Sequence, residues 1–212
     1  MYYSIGCDCH PSYLLQKLGL RTKAGPLDWL DTHSLHCLEY FHDLVQNEFR
    51  DFITDLTNTG RFSRPSSKHY PYSCFFHAPT IIEDRTVQET YLRRAKRFLD
   101  DYKNQSCVFV GNIKSNYVAS DEAVMKLYGD CIKIINDKKF IENNHTLFIY
   151  IRCNENLDEN QKHIDSLCTK LKELNNKQMM IMKYCLHFSK DGMWGNTDLY
   201  PNYFHELLSL QK

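Results

Sequence analysis

Two thiols and an imidazole stand close together near the start of the chain, in SIGCDCHPSYLLQKLGL, where Ser4-Ile5-Gly6 runs into Cys7-Asp8-Cys9-His10. Gly6 ends a short apolar run, Pro11 suits a first helical turn and Gly19 suits a helix stop, so Cys7 to His10 are expected to form a strand-to-helix turn. In parallel α/β folds such turns lie at the C-terminal edge of the sheet, where ligands bind. A thiol at a helix start meets the positive end of the helix dipole, which favours the nucleophilic thiolate. Cys9, two residues before Pro11, is better placed for this than Cys7. The competing reading is a small buried apolar group, the common fate of cysteine. The spacing of Cys7, Cys9 and His10 is not that of a structural zinc site, and no Cys-x-x-Cys pair accompanies them, so neither a metal nor another cofactor is expected. For acyl chemistry the backbone N–H groups after His10 are the oxyanion donors. Pro11 has none, which leaves Ser12 and Tyr13.

Two further groups invite a binding role. Arg93, Arg94 and Arg97 share a helical pattern, with Arg93 and Arg97 about one turn apart, suited to a phosphate or carboxylate. A solvated face, neutralised by Glu83, Asp84, Asp100 and Asp101, is the alternative. Trp194, in the loop-like segment KDGMWGNTDLY, either lines a pocket or caps the core.

The stretch SIGCDCHPSYLLQKLGLRTKAGPLDWL, an aromatic run into a histidine at YSCFFHAP, and YLRRAKRFLDDYKNQSCVFVGN together resemble a bacterial family of unknown function described as papain-like cysteine peptidases. The resemblance is densest over residues 4 to 30 and 75 to 112. It places the family cysteine on Cys9, a proline-x-aspartate-tryptophan box on Asp28 and Trp29, and the histidine on His77; where the family histidine is commonly followed by an acidic residue, Ala78 stands here. A thiolate needs an imidazole to take its proton and return it to the leaving group, and the imidazole needs a third group to fix its tautomer. Asp28 is the first choice for that group, with a turn or helix cap as its alternative. The resemblance also implies a surface-polysaccharide setting, and so a glycan or its precursor as substrate, beside the peptide or acyl substrate of the cysteine-enzyme reading.

The elements that must position these residues are clearest after residue 105. SCVFVGNI (106 to 113), HTLFIYIRC (145 to 153) and MMIMKYCLHF (179 to 188) are apolar runs that alternate with amphipathic patterns starting at Ser120 and at 158, and PNYFHELLSLQ closes the chain as a helix. This βαβαβα alternation over 105 to 212 predicts a mainly parallel sheet covered on both faces, with strands near 106 to 112, 146 to 152 and 179 to 187. YYSIG adds a strand near 2 to 6, residues 1 to 104 are otherwise helix-rich, and 57 to 74 reads as a loop. The expected fold is thus one α/β domain over 1–212, Rossmann-like with three layers. A papain-like α+β fold, as the resemblance implies, is the alternative.

The 26 basic residues balance 26 acidic ones, which argues against a nucleic-acid partner. Nine cysteines, an odd number scattered through the elements, read as reduced thiols. With no leader-like start and no run of about 18 apolar residues, no membrane span is expected, and the reading is a cytoplasmic protein. Three functions compete: a cysteine-dependent hydrolase or acyltransferase, a transferase acting on a nucleotide sugar or surface glycan precursor, and a non-catalytic binding domain. The lack of Gly-x-Gly-x-x-Gly or a P-loop lowers the second.

Overall fold

A computed structural model describes residues 1–154, 159–186 and 192–210. Four strands, β1 (Tyr2–Ser4), β6 (Val108–Lys114), β7 (Thr146–Asn154) and β8 (Met179–Leu186), pair in parallel in the order β1-β6-β7-β8. The fold is α/β, as the alternation implies. The expected strand end at His187 lies outside the described residues.

β7 shows why the strands are apolar throughout. Leu147, Ile149 and Ile151 face one layer of the core, while Phe148 and Tyr150 face the other, and all five are fully buried. The first layer holds α2 (Cys37–Gln46), α3 (Arg85–Asn104), α4 (Asp121–Ile135), α5 (Lys138–Glu142) and α6 (Gln161–Glu173); the second holds α1 (His10–Lys17), α7 (Tyr200–Tyr203) and α8 (His205–Ser209). Each fully buried Leu or Phe at three- and four-residue spacing, such as Leu38, Phe41 and Leu44 of α2, contributes roughly 1.5–3 kcal/mol. Side-chain caps fix three of the α-helix starts: Asp84 accepts from the Thr86 and Val87 amides, Ser120 from that of Ala123, and Asp137 from that of Phe140. The closing helix is broken rather than continuous, because Phe204 leaves helical geometry between α7 and α8; its expected last residue, Gln211, lies outside the described residues.

The segment read as a loop, 57 to 74, carries short antiparallel pairings. β3 (Leu56–Thr57) pairs with β4 (Ser66–Ser67), and β2 (Asp31–Thr32) pairs with β5 (Ser73–Cys74). Thr32 N–H also donates to the Cys7 carbonyl at 2.7 Å, which docks this layer onto the end of the main sheet. Among the described residues no helix is long and apolar enough to cross a membrane.

Candidate active site

β1 continues past Ser4 as extended chain: Ile5 and Cys7 N–H donate to the Val110 and Asn112 carbonyls at 2.9 and 3.3 Å. Gly6 permits this close approach, since a Cβ there would lie 2.1 Å from Asn112 Oδ1 and 2.5 Å from Pro11 Cγ. The chain then turns, and Cys9 becomes the N-cap residue of α1 with Pro11 in its first turn. Asn112 braces the turn by accepting from Cys7 N–H at 2.9 Å and donating to Asp8 Oδ1 at 2.9 Å.

The two thiols and the imidazole go separate ways. Cys7 is fully buried, and burial followed by the Asp8 charge pushes its thiol up to about 12. His10 is also fully buried, held by Tyr150 Oη at 2.7 Å on Nδ1 and Tyr200 Oη at 3.2 Å on Nε2; burial, then Arg152, lowers it to about 3, so the ring is neutral. Cys9 reaches a cavity of about 320 Å3 whose walls include Asp8, Trp29, His77, Lys114 and Trp194. Cys9 and His77 thus share one cavity at the C-terminal edge of the sheet. Burial and then the Asp8 charge push the Cys9 thiol up to about 11, while its own amide works the other way. The helix-terminus argument favours a thiolate here; desolvation and the adjacent carboxylate outweigh it.

His77 is exposed at the cavity rim, its ring edge-on to Trp29 at 5.6 Å and to Phe76 at 5.2 Å. No hydrogen bond holds the imidazole among the described residues. Asp28, read from sequence as its orienting carboxylate, is engaged elsewhere: Oδ2 accepts from Arg21 Nε at 3.0 Å, Arg21 Nη2 at 2.6 Å and Gly25 N–H at 2.8 Å. These bonds close the 21–28 loop and support Trp29, whose φ of 66° lies in the left-handed region, costly for a bulky residue by about 1–3 kcal/mol. Arg21 also lies over the indole at 5.9 Å. Asp28 therefore meets His77 through Trp29 rather than directly.

The other expected binding residues divide. Tyr13 N–H is spent on the Cys9 carbonyl at 3.1 Å, Ser12 is fully buried, and neither residue is among those lining the Cys9 cavity. Tyr13 acts through its ring, stacked on Trp194 at 4.1 Å. The three arginines do not converge: Arg93 is exposed, Arg97 Nη2 donates to the Ala24 carbonyl at 2.5 Å, and Arg94 lies over Tyr91 in a separate cavity behind Trp29 and His77.

Sequence reasoning missed the charges beside Cys9. Asp8 Oδ2 accepts from Arg152 Nη2 at 2.7 Å and pairs with Lys114 Nζ at 3.2 Å, and Asp8 Oδ1 accepts from His10 N–H at 3.0 Å. Burial alone would raise the Asp8 pKa, but Arg152 and Lys114 outweigh it and hold the carboxyl well below the usual range. Lys114 and Arg152 are register partners at the C-terminal ends of β6 and β7. A cation ending each of two buried strands was the available signal. No curated protein and no solved structure matches the chain significantly. A family profile does match, over residues 1–183, and the chain belongs to that family, described as "Putative papain-like cysteine peptidase (DUF1796)".

Proposed function

We propose that the protein is a cysteine-nucleophile acyl hydrolase or acyltransferase in which Cys9 attacks a carbonyl carbon and His77 is the general base, then the general acid. The observation that carries this reading is the shared cavity: one thiol of the opening turn, Cys9, and an exposed imidazole, His77, both line it. The family description supports it. Because Cys9 rests as a neutral thiol, its proton passes to His77 as the S–C bond forms, rather than standing already on the imidazole. The oxyanion faces the Cys9 amide, and His77 returns the proton to the leaving group, giving a thioester that water or an acceptor resolves. A specific observation keeps the glycan reading as second: Trp29, Phe62, Phe76 and Trp194 give the cavity aromatic walls suited to a sugar face.

The test is alkylation with iodoacetamide near neutral pH, read by peptide mass. Modification at Cys9 that is lost in Cys9→Ser, slowed in His77→Ala and kept in Cys7→Ser is expected. Equal rates in the His77→Ala variant and the parent protein would remove the imidazole from the mechanism.

A further inference from the structure

The cavity that holds Cys9 and His77 abuts a second one, of about 200 Å3, on its Lys114 side. Thr32, Ser34, Ser73 and Tyr117 line that second space, and the two cavities share Asp31, Arg61 and Lys114. One lobe is aromatic and the other is rich in hydroxyls; charge marks their junction. Two exposed apolar side chains, Phe62 (68%) and Met193 (54%), stand on the aromatic side. Exposed apolar side chains around a concave space suit a ligand with an apolar or planar body.

The charges at the junction do not cancel. Asp31 and Arg61 pair at 3.2 Å. That leaves Asp8 alone between Lys114 and Arg152, both bound to its Oδ2. One carboxylate thus faces two cations, on groups that are largely buried: the side chains of Asp8, Arg152 and Lys114 are 10%, 11% and 25% exposed. Arg152 Nη1 is buried without a hydrogen-bond partner among the described residues. An excess positive charge in a largely desolvated place is costly, and an anion relieves it. Cys9 does not supply that anion at rest, because its thiol is neutral at ordinary pH.

We propose that the Lys114 junction is an anion subsite, so that the compound presented to Cys9 carries a carboxylate or phosphate group seated on Lys114 while its apolar or planar body lies along the aromatic lobe. This rests on the reading of Cys9 as the nucleophile only for the identity of the ligand as substrate. The subsite itself follows from the charge count and the cavities.

Both tryptophans of the chain, Trp29 and Trp194, line the Cys9 cavity, so intrinsic fluorescence reports on this site. The protein is titrated with inorganic phosphate and, separately, with acetate at constant ionic strength. A saturable change with at least one of them is expected, with phosphate against acetate telling which anion the site prefers. Lys114→Met should weaken it by about tenfold or more, as loss of a charged hydrogen bond does, and Lys114→Arg should largely restore it. If Lys114→Met does not fold by circular dichroism, Arg61→Gln, at a side chain 58% exposed, probes the same junction by the same criterion. No saturable response to either anion, or affinity within about twofold in the variant, overturns the subsite.

A second measurement separates this proposal from the nucleophile reading. Relative to free cysteine, Cys9 should react faster with iodoacetate than with iodoacetamide, and Lys114→Met should abolish that preference. Phosphate or acetate binding without alkylation of Cys9 by either reagent would sink the nucleophile and leave the subsite standing. Alkylation by both reagents, with no preference for iodoacetate and no anion binding, would do the reverse.

Discussion

Replacing Asp8 with Asn tests the electrostatics of the site most directly. The isosteric Asn Oδ1 keeps the acceptor for the His10 amide and the Asn112 side chain, which both use Asp8 Oδ1. Its Nδ2 then confronts Arg152 and Lys114, whose shared acceptor is gone. The Asp8 side chain is only 10% exposed, so the scale for a broken buried ion pair applies, about 3–5 kcal/mol. For a chain of this size that corresponds to a fall in Tm of roughly 6–20 °C. The second effect has the opposite sign for reactivity: removing the carboxylate takes away a charge that raises the Cys9 thiol, so its pKa drops from about 11 and the thiolate fraction at neutral pH grows about tenfold per unit.

Urea unfolding at pH 7.5 and the iodoacetamide rate at Cys9 read the two effects in the same variant. Asp8 has a depressed folded-state pKa, so its contribution to stability is present above the unfolded value of about 3.9 and is lost as pH falls below it. The gap between parent and variant should therefore persist down to about pH 4 and close only below. A loss under about 1 kcal/mol would mean that the cluster behaves as an exposed pair. A folded variant whose Cys9 reacts no faster would show that Asp8 does not hold the sulfur neutral.

Asp28→Ala frees Arg21 and the Gly25 amide and should cost about 1.5–3 kcal/mol, with slower His77-dependent alkylation of Cys9 because Trp29 loses its support; an unchanged rate would disconnect the loop from the site. His10 and His145 are neutral in the fold, lowered to about 3 and about 4, chiefly by burial, so the unfolded chain binds the extra protons. Stability should hold above about pH 6.5 and fall with acidification by up to ~1.4 kcal/mol per pH unit for each ring, a flat urea midpoint from pH 6.5 to 4.5 being the contrary result. Iodoacetamide alkylation of Cys9 should keep rising with pH toward about 11, because burial and the Asp8 charge hold its thiol protonated below that. A rate that levels off near neutral pH would indicate a preformed thiolate.

The sheet was legible because its strands are buried on both faces, which writes them as unbroken apolar runs such as LFIYI. The turn was legible because Gly6 and Pro11 each meet a local steric demand. The cluster around Asp8 was not, because Lys114 and Arg152 are 38 positions apart and become neighbours only through the register of β6 on β7. Arg61 and Phe62 were hidden in a segment whose composition says only loop, yet short pairings bring them to the cavity. Asp28 shows a different failure. Its partners Arg21 and Gly25 lie seven and three residues away, so its bonds are those of the local turn that the sequence offers as its alternative, and a Pro-x-Asp-Trp pattern alone does not tell that turn from an orienting carboxylate.

The charge arrangement bears on how such a thiol can be activated. A positive surplus at Lys114 and Arg152 would favour a thiolate, but Asp8 sits nearest in sequence and, with burial, keeps the proton on sulfur. An anionic group seated on Lys114 cannot reverse this, since added negative charge disfavours ionisation further. In the proposed reaction, binding and activation therefore oppose each other electrostatically, and the proton would leave only as charge moves onto the attacked carbonyl. A base at the cavity rim meets that requirement, and His77, exposed and free of any hydrogen bond to a carboxylate among the described residues, is positioned by ring contacts with Trp29 and Phe76. The strain stored at Trp29 is thus intelligible as the means of holding the imidazole where the missing carboxylate would otherwise do so.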